Sequence, residues 1–241
     1  MIASSESVYI GQELNLFSVA TNWKCYVKRA IGEYLVGDVL EIGAGIGSTT
    51  AAMHDGKAHS WVCLELDLRN ATRLKRTVVD SSEYKKTQVI AGSLDAIANR
   101  PSFDCILYMD VLEHIHEDRD QIDSAAEVVR GGGHIIILSP AHQWLFSEFD
   151  KSIGHLRRYN KQLLRSLMPS GWLQVKLAYL DSVGALLSLA NALALRQAMP
   201  SPWQIALWDR FCIPLSTIID SILRQKCGKS ILAVWRKPDP L

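Results

Sequence analysis

Asp38-Val39-Leu40-Glu41-Ile42-Gly43-Ala44-Gly45-Ile46-Gly47-Ser48-Thr49-Thr50 is the stretch whose reading decides the fold. Its first five residues read as a short buried strand, its three glycines as a tight turn, and Ser48 to Met53 as the start of a helix. Glycine lets the backbone turn sharply and approach a ligand with no Cβ in the way. The start of a helix adds free N–H groups and a partial positive charge. In an alternating α/β chain such a unit places its ligand outside the carboxyl ends of the strands, where the strand order switches.

Working outward, Ser60 to Leu66, Thr87 to Ala91, Phe103 to Met109 and His134 to Leu138 read as further strands, the last closed by Pro140. Helical spacing covers Asn70 to Val79 and the stretch ending at Val129, and Gly131-Gly132-Gly133 reads as a turn. Strands this apolar, with little alternation, are buried on both faces, the pattern of a parallel sheet covered by helices. Leu173 to Leu180 gives a sixth strand and Lys229 to Arg236 a last one. Leu16 to Leu35 has the spacing of an N-terminal helix, with Phe17, Ala20, Trp23, Val27, Ala30 and Ile31 along it. The expected fold is α/β: a doubly wound, seven-stranded, mostly parallel Rossmann-like sheet with an N-terminal helix and a C-terminal helical insertion before the last strand. Residues 1–37 form a helical cap, 38–181 the core, 182–228 the helical insertion or substrate cover, and 229–241 the last strand and tail. Pro200, Pro202 and Pro214 are expected to break the insertion into short helices.

The 241 residues are 48% hydrophobic and 21% charged, near globular averages, which argues against disordered and fibrous classes. A net charge of +1 gives no electrostatic case for a nucleic-acid partner. The five cysteines are odd in number and form no C-x-x-C pair, the usage of a reduced, cytoplasmic protein without a zinc or disulfide framework. Met1 to Glu13 is polar and does not read as a signal peptide. The longest apolar segment, Ser182 to Leu195, falls short of the ~20 residues a bilayer span needs.

The glycine turn reads E-x-G-x-G-x-G, not the dinucleotide fingerprint G-x-G-x-x-G/A, because Ser48 stands where the third small residue would fall. This resembles the first motif of class I S-adenosylmethionine (SAM)-dependent methyltransferases. The resemblance implies that Gly43, Ala44, Gly45 and Gly47 pass close to the methionine part of SAM, and that Glu41 orients the loop and the amino group. At the end of the second strand Glu65, followed by Leu66, is placed to accept from both ribose hydroxyls, since a carboxylate is an acceptor-only group with two oxygens. Asp67 is the fallback, or a helix cap; an acid here suits NAD equally well. In Ala91-Gly92-Ser93-Leu94-Asp95 the family's acid after glycine is replaced by Ser93. The Ser93 hydroxyl and the Leu94 backbone are then expected near adenine, with Asp95 either substituting or facing solvent.

Phe103 to Ile115 resembles the "FD…(D/E)VLEH" stretch of the branch that includes ubiquinone-biosynthesis methyltransferases. By that resemblance Met109 and Asp110 flank the SAM sulfur, and His114 lies on the inner side of the next helix, as a catalytic or a packing histidine. Pro140 to Tyr159 resembles a "P…D…GH.RRY" stretch of bacterial members, and Asn22, Trp23 and Tyr26 a lid helix of the same group. Gly228 to Pro238 resembles the family ending more loosely. His155, Arg158 and Tyr159 bring together a base, a fixed cation and a phenol; an Asp150–Arg158 pair that merely orders the loop reads equally well.

The implied activity is SAM-dependent methyl transfer to a small-molecule, sugar or lipid-linked glycan acceptor at oxygen. His155 or His114 would be the base and Asp110 would orient it. No metal-ligand constellation is evident in the sequence, so a magnesium-assisted mechanism is set aside. C-methylation of an activated ring is the alternative within enzymes. An NAD-dependent oxidoreductase and a non-catalytic SAM-binding regulator are the alternatives of other classes. The Leu- and Trp-rich insertion leaves open a peripheral membrane contact, a homodimer contact or simple packing on the sheet.

Overall fold

The computed structural model describes residues 12–78, 86–97, 102–195 and 197–239. Its sheet consists of β1 (Gly37–Ile42), β2 (Ala58–Glu65), β3 (Thr87–Ala91), β4 (Phe103–Met109), β5 (Val129–Pro140), β6 (Leu173–Leu180) and β7 (Ser230–Arg236). The spatial order is β3-β2-β1-β4-β5-β7-β6. β1 to β5 pair in parallel, while β7 runs antiparallel to both of its neighbours. This is the seven-stranded, mostly parallel sheet expected from the apolar runs. Helices α1 (Gln12–Ser18), α2 (Thr21–Ile31), α3 (Ser48–Met53), α4 (Leu68–Val78), α5 (Asp118–Val128), α6 (Glu148–Ser152) and α7 (Lys161–Leu167) precede or connect the strands. α8 (Ser182–Ala190), α9 (Pro202–Leu207) and α10 (Ile213–Ile222) lie between β6 and β7.

Both faces of the central strands are buried, and successive residues feed different cores. Leu40, Ile106, Ile135 and Ile137 join Ile122 of α5 and Leu164 of α7. Val39, Cys105, Leu107 and Ile136 join Val27 and Ile31 of α2 and Leu74 of α4. A strand covered on both sides has no polar face to alternate, which is why the sequence runs were continuous.

Two expectations need correction. The stretch expected as one helix from Leu16 to Leu35 is two helices and a short 3-10 turn. The buried Lys24 of α2 donates to the carbonyls of Phe17 and Ser18 at 3.0 and 2.6 Å, closing the C-terminus of α1 and forcing the break. Gly131 to Gly133, expected as a turn, lies inside β5, where the register against β4 shifts between Phe103 and Cys105. The prolines act unequally. Pro202 opens α9, whereas Pro214 follows a π-helical turn at Trp208–Cys212 and interrupts nothing.

Buried carboxylates fasten the α8–α10 segment to the core. Asp220 accepts from the Tyr26 hydroxyl at 2.8 Å and from the backbone N–H groups of Asp181 and Ser182 at 2.7 and 3.0 Å. Asp209 accepts from the N–H groups of Asn22 and Trp23, the first turn of α2. Removing Asp220 strands three buried donors. Asp220→Ala is therefore expected to lower the unfolding free energy by about 3 kcal/mol, read from a urea unfolding curve.

Candidate functional site

The strand order reverses between β1 and β4: β1 is followed in sequence by β2 on one side and has β4 on the other. Chain segments leaving β1 and β4 therefore part in opposite directions and open a crevice at the carboxyl ends. The glycine turn after β1 forms one wall. Gly43 and Gly47 have φ of 68° and 86°, and a Cβ at Gly43 would meet Val111 at 2.6 Å. Leu14 of α1 lies over Gly45, so the first helix covers the loop.

Two acids hold this turn. Glu41 is buried in β1, and its Oε2 accepts from the Thr50 hydroxyl at 2.8 Å and the Trp61 indole at 2.9 Å. It ties β1 to α3 and β2. Burial pushes its carboxyl up to about 7 against these hydrogen bonds. Glu65 closes β2: Oε2 accepts from the Gly45 N–H at 2.7 Å and Oε1 from the Asp67 N–H at 2.9 Å. Asp67 caps the start of α4 through the N–H groups of Arg69 and Asn70, the second of the two roles foreseen for it. Leu66 is exposed beside Glu65. Gly92 donates to the Glu65 carbonyl, which brings exposed Ser93 and buried Leu94 to the same edge.

The opposite wall begins where β4 ends. Asp110 has φ of 55° and its N–H donates to the Leu138 carbonyl at 2.8 Å, so the chain turns sharply after half-buried Met109. Asp110 is open to solvent yet surrounded by protein. Desolvation pushes its carboxyl up to about 6, against the pull of His155 and Lys229. Lys229, at the start of β7, sits with Nζ 3.6 Å from Asp181 Oδ2 and 3.8 Å from the centre of the Trp208 ring. Desolvation lowers its pKa.

The loop after β5 is ordered around Asp150, which is fully buried. Arg158 donates to both its oxygens at 2.8 and 2.9 Å, His155 Nδ1 lies 2.9 Å from Oδ1, and the Ser147 N–H and hydroxyl donate to Oδ2. These donors outweigh burial and hold the Asp150 carboxyl well below the usual range. Arg158 is thus committed to ordering the loop, the second of its two readings. Tyr159 was expected beside the reacting groups and is instead a core residue. It is fully buried, its hydroxyl donates toward Asp118 Oδ2 at 2.7 Å and the Leu112 carbonyl at 3.1 Å, and burial drives its pKa far up.

His114 and His155 do come together, their rings 4.7 Å apart and edge to face. Burial lowers His114 to about 4. Between them and the sheet lies Glu113, which the sequence reading passed over. It is fully buried and neither oxygen has a hydrogen-bond partner. One donor atom each from Glu113, His114 and His155 falls within 4.8 Å of the others, a grouping of metal-ligand types that the sequence reading did not expect. The signal available was the acid next to a histidine in Leu112-Glu113-His114; its third member lies some 40 residues on. Trp23, read as lid or core, packs against Tyr26 and Trp208 at 6.2 and 5.9 Å between ring centres.

Residues 40–135 match the family described as methyltransferase domain. No curated protein matches the chain. A SAM-dependent methyltransferase from Mesorhizobium loti shares 14% identity at a TM-score of 0.60, covering 92% of this chain and all of that one. The N-methyltransferase NodS from Bradyrhizobium japonicum, solved with S-adenosylhomocysteine (SAH), shares 14% at 0.56, covering 97% and 90%. The cyclase SpnF shares 15% at 0.63, covering 96% of each. At these identities the structures speak for the fold; the domain match sets the dinucleotide reading aside.

Glu41 carries a testable pH dependence. Its carboxyl loses its proton more readily unfolded than folded, so its contribution to stability falls as pH rises from the ordinary carboxylate range through about 7. Relative to the wild type, Glu41→Gln should gain thermal stability between about pH 5 and about pH 8, measured as the difference in melting temperature across that window.

Proposed function

We propose that this chain, a class I SAM-dependent methyltransferase, moves its methyl group to an oxygen of a small-molecule, sugar or lipid-linked glycan acceptor bound between the Asp110 wall and the α8–α10 segment. The residues suit the cofactor: a positive-φ glycine turn that a Cβ would fill, and an acceptor-only carboxylate at the end of β2. Gly43, Ala44, Gly45 and Gly47 would line its methionine end, Glu65 with Leu66 its ribose, Ser93 and Leu94 its adenine, and Met109 its sulfur. When bound, SAM supplies a methyl group already activated by a positive sulfur.

What remains for the protein is to align the acceptor, exclude water and receive a proton. Alignment can contribute roughly 7–11 kcal/mol and proton removal about 10²–10⁴-fold. The observation that carries the oxygen reading is Asp110. It is the carboxylate at the switch point that stays open to solvent, held by a positive-φ turn near His155 and Lys229. An oxygen acceptor must lose a proton, and Asp110 is placed to take it. This moves the base from His155, whose side chain is only 6% exposed, to the residue expected to orient it.

The α8–α10 segment supports an acceptor with an apolar part. Trp203, Phe211, Leu186, Leu193, Ile218 and Ile222 are exposed along it, an unusual concentration for one surface. Among the described residues, no helix is long and apolar enough to cross a membrane.

Two measurements test this reading. Glu65→Ala should weaken SAH binding tenfold or more by calorimetry, about 1.4 kcal/mol, through loss of a charged acceptor for the sugar; unchanged affinity would remove Glu65 from the site. Incubation with carbon-13 methyl-labelled SAM and the water-soluble or lipid-soluble fraction of a cell extract should give a product whose carbon shift is that of a methyl on oxygen. Asp110→Asn should slow its formation by about a hundredfold or more. A methyl on carbon or nitrogen overturns the oxygen assignment.

A further inference from the structure

Glu113 poses a physical problem that the methyl-transfer reading leaves untouched. Its carboxyl is fully buried, neither oxygen has a well-formed hydrogen bond although the Ser139 hydroxyl lies near it, and no arginine or lysine pairs with it among the described residues. A buried carboxyl without well-formed partners costs several kcal/mol unless it is protonated or an occupant neutralises it.

The surroundings say what that occupant is. His155 directs Nδ1 to Asp150, itself gripped by Arg158, which turns Nε2 toward Glu113. That Nε2 stands 3.8 Å from Glu113 Oε1, beyond hydrogen-bond reach. His114 lies edge to face against His155, with its Nδ1 3.3 Å from the Gly154 carbonyl. A histidine whose far nitrogen is fixed by a carboxylate or a carbonyl is the usual outer support of a metal ligand.

We infer that Glu113, His114 and His155 form a binding site for one divalent first-row metal ion, with Asp110 supplying the second negative charge at its open side. One donor atom from each of the three lies within 4.8 Å of the others. Ligands at about 2.0–2.2 Å from one tetrahedral ion stand roughly 3.4 Å apart, so the side chains close on the ion by about an ångström when it binds. Two imidazoles and one carboxylate make a borderline donor set, suited to manganese, cobalt or zinc; magnesium and calcium prefer oxygen throughout. The charges balance: two carboxylates against one divalent ion, with Asp150 and Arg158 neutralising each other. Three protein ligands leave positions open toward Asp110, where an acceptor oxygen would be held. That last role rests on the oxygen-acceptor reading; the binding site itself does not.

The test needs no acceptor. Protein stripped with a chelator is titrated with Mn²⁺ by electron paramagnetic resonance, and with Zn²⁺ and Mg²⁺ by calorimetry, with SAH affinity measured on every sample. The wild type should bind a single Mn²⁺ or Zn²⁺ ion saturably and more tightly than Mg²⁺. Glu113→Gln and His155→Asn should each weaken Mn²⁺ binding by about tenfold to a hundredfold, with SAH affinity kept within about twofold as the sign of an intact fold. Arg158→Lys, which perturbs only the support of Asp150, should weaken the metal less than either. Absence of saturable binding in the wild type overturns the inference, as does Mn²⁺ affinity unchanged in both Glu113→Gln and His155→Asn. Failure of the cofactor or oxygen reading would show in the SAH titration or in the methylated product, not in the wild-type metal titration.

Discussion

A parallel sheet buried on both faces leaves one place for chemistry, and the rest of this molecule is arranged around that constraint. Helices cover the faces because β1, β4 and β5 have no polar side to offer water. The carboxyl edge remains, and only where β1 and β4 send their chains apart does it open. The ionisable groups of the proposed site stand at that opening: Glu41 and Glu65 on the β1–β2 side, Asp110, Glu113 and His114 after β4, His155 after β5, and Lys229 before β7.

The two walls are stabilised by different physics. The glycine-turn wall is backbone held by carboxylates, with Glu65 pinning the Gly45 N–H and Glu41 pinning the start of α3. Such a wall tolerates little side-chain volume, since a Cβ at Gly43 would collide with Val111 across the crevice. The β4–β5 wall is side chain held by side chain. Asp150 collects donors from Arg158, His155 and Ser147, and that one buried carboxylate fixes the orientation of the imidazole facing Glu113. Rigid placement of this kind is what alignment of reactants requires, because the rate gain is lost when the supporting groups wander.

The sequence revealed the strands and the glycine turn far better than the arrangement after β4 and β5. β3, β4 and β6 fall on the residues their apolar runs predicted, and in β4 burial on both faces leaves an uninterrupted signal. Gly131 to Gly133 misled, because glycine marks close backbone approach as well as turns. A Cβ at Gly133 would come within 2.9 Å of the Asp104 carbonyl on the neighbouring strand. The break between α1 and α2 depends on Lys24 reaching back to two carbonyls, which no apolar period encodes. Tyr159 looked chemical because phenols often are, yet its ring fills the core and its hydroxyl is used up on Asp118. The cluster of Glu113, His114 and His155 stayed hidden because its members lack any local ligand spacing; the fold alone joins them.

The α8–α10 segment is part of this design rather than an appendage. Its acids, Asp209 and Asp220, are both buried and both spent on fixing it to α2 and to the end of β6. Trp208 then reaches inward, its indole donating to Asp181 at 2.8 Å while its ring lies under Lys229. Phe17 of α1 and Trp23 of α2 pack on the same tryptophan, so the helix that covers the glycine turn and the segment that walls the acceptor side share one aromatic contact. Movement of either would be felt by the other through Trp208. Among the described residues, the charges left outside on and just after this segment, Arg210, Arg224 and Lys226, are positive, and exposed leucines, isoleucines and aromatics accompany them. Positive charge and apolar area are thus exposed together on the part of the chain that Asp209 and Asp220 hold in place.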